Sequence, residues 1–105
     1  MDDRILSTLG ICRKAGKLVM GFDAVREATA AGQVYLIVLA GDLSEKSGKE
    51  ISFQAAKKGT AILEVPFTMD DIKTRLGKRS GILGITDSGL AGTVQRTAQR
   101  ANEED

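Results

Sequence analysis

The run Val34-Tyr35-Leu36-Ile37-Val38-Leu39-Ala40, set between Gly32 and Gly41, constrains this chain more than any other stretch. It is apolar throughout and rich in β-branched residues, which reads as a strand buried on both faces. Such a strand needs helices above and below it. The residues before it, Phe22 to Ala31, carry Val25, Ala28 and Thr29 on one helical face, and Gly21 opens that helix. Tyr35 is expected to pack within the strand, with its hydroxyl at the sheet edge.

The rest of the chain alternates in the same way. Ile5, Leu6, Leu9 and Cys12 have helical spacing, Gly16 ends that helix, and Lys17 to Met20 forms a short strand. Asp42 or Ser44 caps a third helix that runs to Lys57-Lys58-Gly59, with Ile51, Phe53 and Ala55 as its apolar content. Thr60 to Val65 is the next strand, closed by Pro66. Thr68 and Asp71 sit at the N-cap and N3 positions of a capping box, with Asp71 in place of the usual glutamate. Phe67 and Ile72 then occupy the hydrophobic-staple positions. Leu76 continues the buried stripe and Gly77 stops it. Ser80 to Thr86 is a fourth strand, in which Gly81 and Gly84 predict close backbone approach or a bulge. Asp87-Ser88-Gly89 caps a last helix with Leu90, Ala91, Val94 and Ala98 inward, and the acidic end, residues 101–105, is expected to fray. Alternation of this kind predicts one α/β domain over residues 1–105. Its expected form is a three-layer α/β/α sandwich around a mainly parallel or mixed four-stranded sheet.

Composition narrows the chemistry. The chain has one cysteine and no histidine. An intramolecular disulfide, a cysteine metal cluster and the Ser-His and Cys-His nucleophile pairs are therefore excluded. Gly77-Lys78 is followed by Arg79, and Ile72 stands where a phosphate loop needs glycine, so the Walker pattern fails. Asp23, Asp42 and Asp87 lie near strand ends, where α/β folds often hold ligands, but helix capping explains all three more simply. No apolar run approaches the roughly 18 residues of a membrane span. The N-terminus lacks a signal peptide's basic region and cleavage site, so a cytoplasmic location is expected, with no membrane partner and no cofactor.

Fifteen basic residues against 14 acidic ones exclude a polycationic sheath but not a local patch. Lys57-Lys58 and Arg96 with Arg100 lie toward predicted helix C-termini, where dipole compensation and solubility account for them. Lys17 and Lys78-Arg79 flank glycines in connecting loops, where a phosphate can meet backbone N–H and side-chain charge together. Cys12 reads as a buried core thiol. Phe22 is either a core residue at a helix start or an exposed ring beside Gly21, free to stack on a base.

The segment Arg13-Lys14-Ala15-Gly16-Lys17-Leu18-Val19-Met20-Gly21, the later Gly32, the string YLIVLAGDLS, the helix ending in Gly77-Lys78 and the Asp87-Ser88-Gly89 turn form an ordered set. Together they resemble the ribosomal proteins L-seven-Ae and L-thirty-e, especially their small bacterial relatives. The likeness covers residues 3 to 95. It implies an α/β/α sandwich that binds structured RNA, typically a kink-turn, without catalysis and on the ribosome. In that family the helix after the first strand presents its N-terminus to the RNA. Backbone N–H groups at Gly21 and Phe22, with Lys17, Arg26, Lys78 and Arg79, would grip phosphates. Phe22 and the loop Ser80-Gly81-Ile82 would meet bases or riboses, and Gly41 to Ser44 completes the surface. The family's kink-turn binders usually carry Asn-Glu after the glycine and its neighbour, then Lys three residues on. Here those positions hold Asp23, Ala24 and Glu27. These departures support an alternative reading, a protein-interaction module on the same fold that has lost kink-turn readout.

Overall fold

The computed structural model describes residues 3–103. The elements are α1 (Arg4–Lys14), β1 (Leu18–Met20), α2 (Phe22–Ala30), β2 (Leu36–Leu39), α3 (Glu45–Lys58), β3 (Ala61–Glu64), α4 (Met69–Leu76), β4 (Ile82–Ile85) and α5 (Ser88–Glu103). The strands form one sheet in the order β1-β4-β2-β3. Only β2 and β3 form a parallel pair; β4 runs antiparallel to both of its neighbours, β1 and β2. The sheet is therefore mixed, not mainly parallel. The cause is that β4 is not the next strand of a one-way winding. It inserts between β1 and β2 from the opposite direction.

β2 is buried along its whole length, as its composition predicts, and so is β4. Alternate residues feed two cores. Leu36, Val38, Leu83 and Ile85 meet Ile5, Leu9, Ile72 and Val94 under α1, α4 and α5. Ile37, Leu39 and Ile82 meet Val25, Ile51 and Ala55 under α2 and α3. Gly84 explains how α2 comes so close. A Cβ there would lie 3.0 Å from Val19 Cγ2 and 3.4 Å from both Val25 Cγ1 and Val34 Cγ2. The register Val19↔Gly84↔Ile37 is continuous, so Gly84 serves close approach and not a bulge.

The caps fall largely where the sequence puts them. Ser44 Oγ accepts the Ser47 N–H at 3.2 Å and caps α3. Asp42 caps a different helix: its Oδ1 accepts the Met69 N–H at the start of α4, at 2.9 Å. Thr68 and Asp71 complete the capping box, with Thr68 Oγ1 accepting the Asp71 N–H and Asp71 Oδ2 accepting the Thr68 N–H. Phe67 and Ile72 are both buried in the α1/α4/α5 core, as a staple requires. Removing the cap with Thr68→Ala is expected to cost about 1 kcal/mol. In a domain of this size that lowers the melting temperature by roughly 4–8 °C. A calorimetric scan reads it, and an unchanged melting temperature would deny the box any energetic role.

Two expectations are corrected. Tyr35 lies outside the ladder, which begins at Leu36, and its side chain is 53% exposed. Phe53 is 62% exposed and contributes nothing to the core. Ile51 and Ala55, four residues apart, define the buried stripe of α3. A residue two positions from either is turned by about 200° to the other side. The helix α5 extends through Glu103, and the last two residues, where part of the expected fraying falls, lie outside the described range. Cys12 is fully buried in the α1 core. Burial pushes its thiol pKa up; a backbone hydrogen bond opposes the rise and the Asp87 carboxylate adds to it.

Candidate nucleic-acid interface

The register divides the expected site residues between two ends of the sheet. Met20 pairs with Leu83 and Leu39 with Ile82. The exit of β1, the exits of β2 and β3 and the entry of β4 therefore share one end. At that end the Gly21 N–H donates to the Ile82 carbonyl at 2.9 Å, and the Ala40 N–H donates to the Gly81 carbonyl at 2.9 Å. The Gly41 N–H donates to the Phe67 carbonyl at 2.8 Å. A Cβ on Gly81 would lie 2.7 Å from Leu43 Cδ1 and 3.0 Å from Met69 Sδ, so the entry of β4 is pressed against the loop after β2 and the start of α4. Gly21, Phe22, Asp23, Ser80 and Gly81 thus gather at one end of the sheet, with Gly41 to Ser44 beside them and Ser80 and Gly81 buried beneath.

Lys17 does not belong to it. It precedes β1, where its carbonyl accepts the Thr86 N–H. That places it at the far end of the strand, with Tyr35 and the start of α5. At about 3.3 Å per residue, four residues of strand put roughly 13 Å between Lys17 and Gly21.

Gly21 holds φ 104° and ψ 152°, a backbone state that strains any residue with a Cβ, and this turns the chain from β1 into α2. Its own N–H is committed to Ile82, so it does not serve a ligand. The free donors are the N–H groups of Phe22, Asp23 and Ala24 in the first turn of α2. They have no intrahelical acceptor, and Gly21 has no side chain to cap them. The macrodipole favours negative charge at this end.

The charged side chains around it are partly engaged. Arg26 lies 3.4 Å from Asp23 and its guanidinium carbon lies 5.6 Å from the centre of the Phe22 ring. Arg26 therefore offsets the Asp23 carboxylate. Arg79 Nε contacts Asp70 Oδ1 at 3.0 Å, with both side chains more than half exposed. An exposed pair of this kind is worth at most about 1 kcal/mol and yields to a phosphate. Lys78 is exposed between Gly77 and Arg79. Ala24 and Glu27 are exposed on the same helix start. Ser80 is buried, its Oγ donating to the Ile82 carbonyl, so it shapes the loop and does not present a hydroxyl. Phe22 combines the two readings left open by the sequence: its ring packs partly on the α2/α3 core and is partly exposed.

The profile of the ribosomal protein L7Ae/L30e/S12e/Gadd45 family matches residues 3–100. The chain belongs to that family. This L7Ae-family chain is 30% identical to large ribosomal subunit protein eL30 of Dictyostelium discoideum over 90 residues, covering 84% of this chain and 80% of that protein. It is 27% identical to eL30B of Schizosaccharomyces pombe over 89 residues, 83% and 76% of the two chains. In architecture it matches a protein of unknown function from Bacillus halodurans with a TM-score of 0.84 and 23% identity, covering 90% of this chain and 96% of that one. It also matches the Giardia lamblia 15.5kD RNA binding protein with a TM-score of 0.73 and 11% identity, covering 90% and 83%. These two likenesses establish a shared L7Ae-type fold. The family is one of non-catalytic proteins, and the carboxylates here have other work. Asp42 and Asp87 accept N–H groups at helix starts on opposite ends of the sheet, and Asp23 faces Arg26. Among the described residues no cluster suited to a metal ion forms, and no helix is long and apolar enough to cross a membrane.

Proposed function

We infer that this chain is a non-catalytic, ribosome-associated RNA-binding protein of the cytoplasm, and that it grips a kink-turn or similarly structured RNA at the Gly21 end of its sheet. The observation that carries this reading is the joining of an uncapped helix start to a basic glycine loop. The first turn of α2 is held against the entry of β4 by the Gly21–Ile82 hydrogen bond, and Lys78 and Arg79 stand immediately before that entry. Free N–H donors and a helix dipole then lie at the same end of the sheet as the Lys78-Arg79 loop, and donors with cations are the chemistry that phosphate needs. Phe22 offers a partly exposed ring beside them. Membership of a ribosomal family and a fold shared with an RNA binding protein both support it.

A second reading has its own support. Ala24 lacks the acceptor that reads guanine edges, and Glu27 puts an unpaired carboxylate where RNA would press close, which is costly. A protein-interaction role follows if these changes abolish RNA binding. Titration of the pure chain against a labelled kink-turn RNA and a plain duplex, at two salt concentrations, separates the readings. The RNA reading predicts kink-turn selectivity and affinity that falls steeply with salt, because phosphate contacts dominate. Weak, equal binding to both RNAs sinks the kink-turn assignment and favours a protein partner.

A further inference from the structure

Phe53 belongs to neither of the two cores of this fold. It is the most exposed large apolar side chain described, 62% accessible, in the middle of a well-formed 14-residue helix. It does not stand alone. Phe22, Arg26, Lys49, Glu50, Phe53 and Gln54 line a single open cleft of ≈ 340 Å³ between α2 and α3. That volume lies at the small end of the range for sites that take small organic groups, roughly 300–1,000 Å³. Each of the two rings carries a cation: Arg26 lies 5.6 Å from the centre of Phe22, and Lys57 Nζ lies 4.5 Å from the centre of Phe53.

We propose that this cleft is a second RNA contact, a stacking site for one unpaired nucleotide of the RNA held at the start of α2. The inference rests on the RNA-binding reading and extends it along α3. Two features identify the occupant. Aromatic rings interleaved with arginine and lysine suit a flat base joined to a phosphate, since the base stacks on a ring or a guanidinium plane while the cations take the backbone charge. The cleft is also continuous with the proposed interface, because Phe22 is both the first residue of α2 and a wall of the cleft. Lys49 is held by Glu45 at 3.2 Å in a mostly exposed pair, which a phosphate can displace. Gln54 supplies both a donor and an acceptor for a base edge.

The test uses the full chain and two RNAs. One is a kink-turn duplex with blunt ends. The other is the same duplex extended at both ends by three unpaired adenosines. The extended RNA is expected to bind about tenfold more tightly, the scale of one base–aromatic stack. Phe53→Ala should remove that gain and leave the affinity for the blunt RNA unchanged. Phe53→Tyr should restore it. Phe53 is exposed, so these variants keep the fold, which amide spectra verify. If the wild type binds both RNAs equally, or Phe53→Ala keeps the full gain, the stacking site is overturned while the interface at Gly21 stands. If neither RNA binds, the interface reading and the inference fail together.

Discussion

Replacing Gly84 with leucine is expected to destabilise the domain by about 3 kcal/mol, the upper part of the usual range for overpacking a core. That is a large share of the roughly 5–15 kcal/mol by which domains of this kind are stable. The position is the point where α2 rests on the sheet. Its three near neighbours are Val19, Val25 and Val34, all within 3.4 Å of a Cβ built there. Each is β-branched and stiff at χ1, so none can swing clear, and the strain passes to the backbone of β4 or to the seating of α2. Gly81 offers the informative contrast. A Cβ at Gly81 would meet its nearest atom even closer, at 2.7 Å, yet the atoms it meets are the far ends of Leu43 and Met69. Those side chains have rotamers to spare, so Gly81→Ala should cost less than Gly84→Ala. Urea midpoints of the variants give the ranking. A Gly84→Leu midpoint equal to that of the wild type would mean that α2 is not packed as closely as the valine contacts require.

The second large effect concerns affinity. Asp23→Asn, Ala24→Glu and Glu27→Lys, introduced together, are expected to tighten kink-turn binding by about tenfold or more, the worth of one charge-assisted hydrogen bond. The changes act in different ways. Asn at position 23 adds a donor and releases Arg26 from the carboxylate 3.4 Å away. Glu at position 24 adds an acceptor for guanine edges. Lys at position 27 reverses a charge on an exposed site that would face phosphate. A fluorescence titration at fixed salt checks the outcome, because net charge alone also raises binding to any RNA. The gain must therefore be larger for the kink-turn than for a plain duplex. Equal gains on both would assign the effect to charge and not to readout.

Much of this architecture is legible in the sequence because strong local signals agree there. The apolar run Val34–Ala40 has the composition of a strand covered on both faces, and β2 is that strand. Thr68, Asp71, Phe67 and Ile72 spell both a capping box and a staple, and both form. What the sequence leaves open is tertiary. Strand direction is not a local property, so the antiparallel insertion of β4 between β1 and β2 is invisible to an alternation of helices and strands. Asp42 has the right chemistry for a cap but serves α4 and not the helix that follows it, a choice made by a loop 27 residues away. Some placements follow from element geometry alone. Phe53 falls opposite the Ile51–Ala55 stripe by simple helical angle. Lys17 is close to Gly21 in sequence, but even a short strand carries its two ends apart.

The placement of Lys17 offers the most direct check on where RNA binds. One structured RNA, a kink-turn duplex, should be titrated against the wild type, Lys78→Ala and Lys17→Ala over a range of salt. With the interface at the Gly21 end, Lys78→Ala is expected to weaken binding about tenfold and to lower the salt slope by about one. Lys17→Ala, at the far end of β1, should leave both unchanged. A loss at Lys17 with none at Lys78 would place the RNA on the opposite end of the sheet and contradict the interface described above.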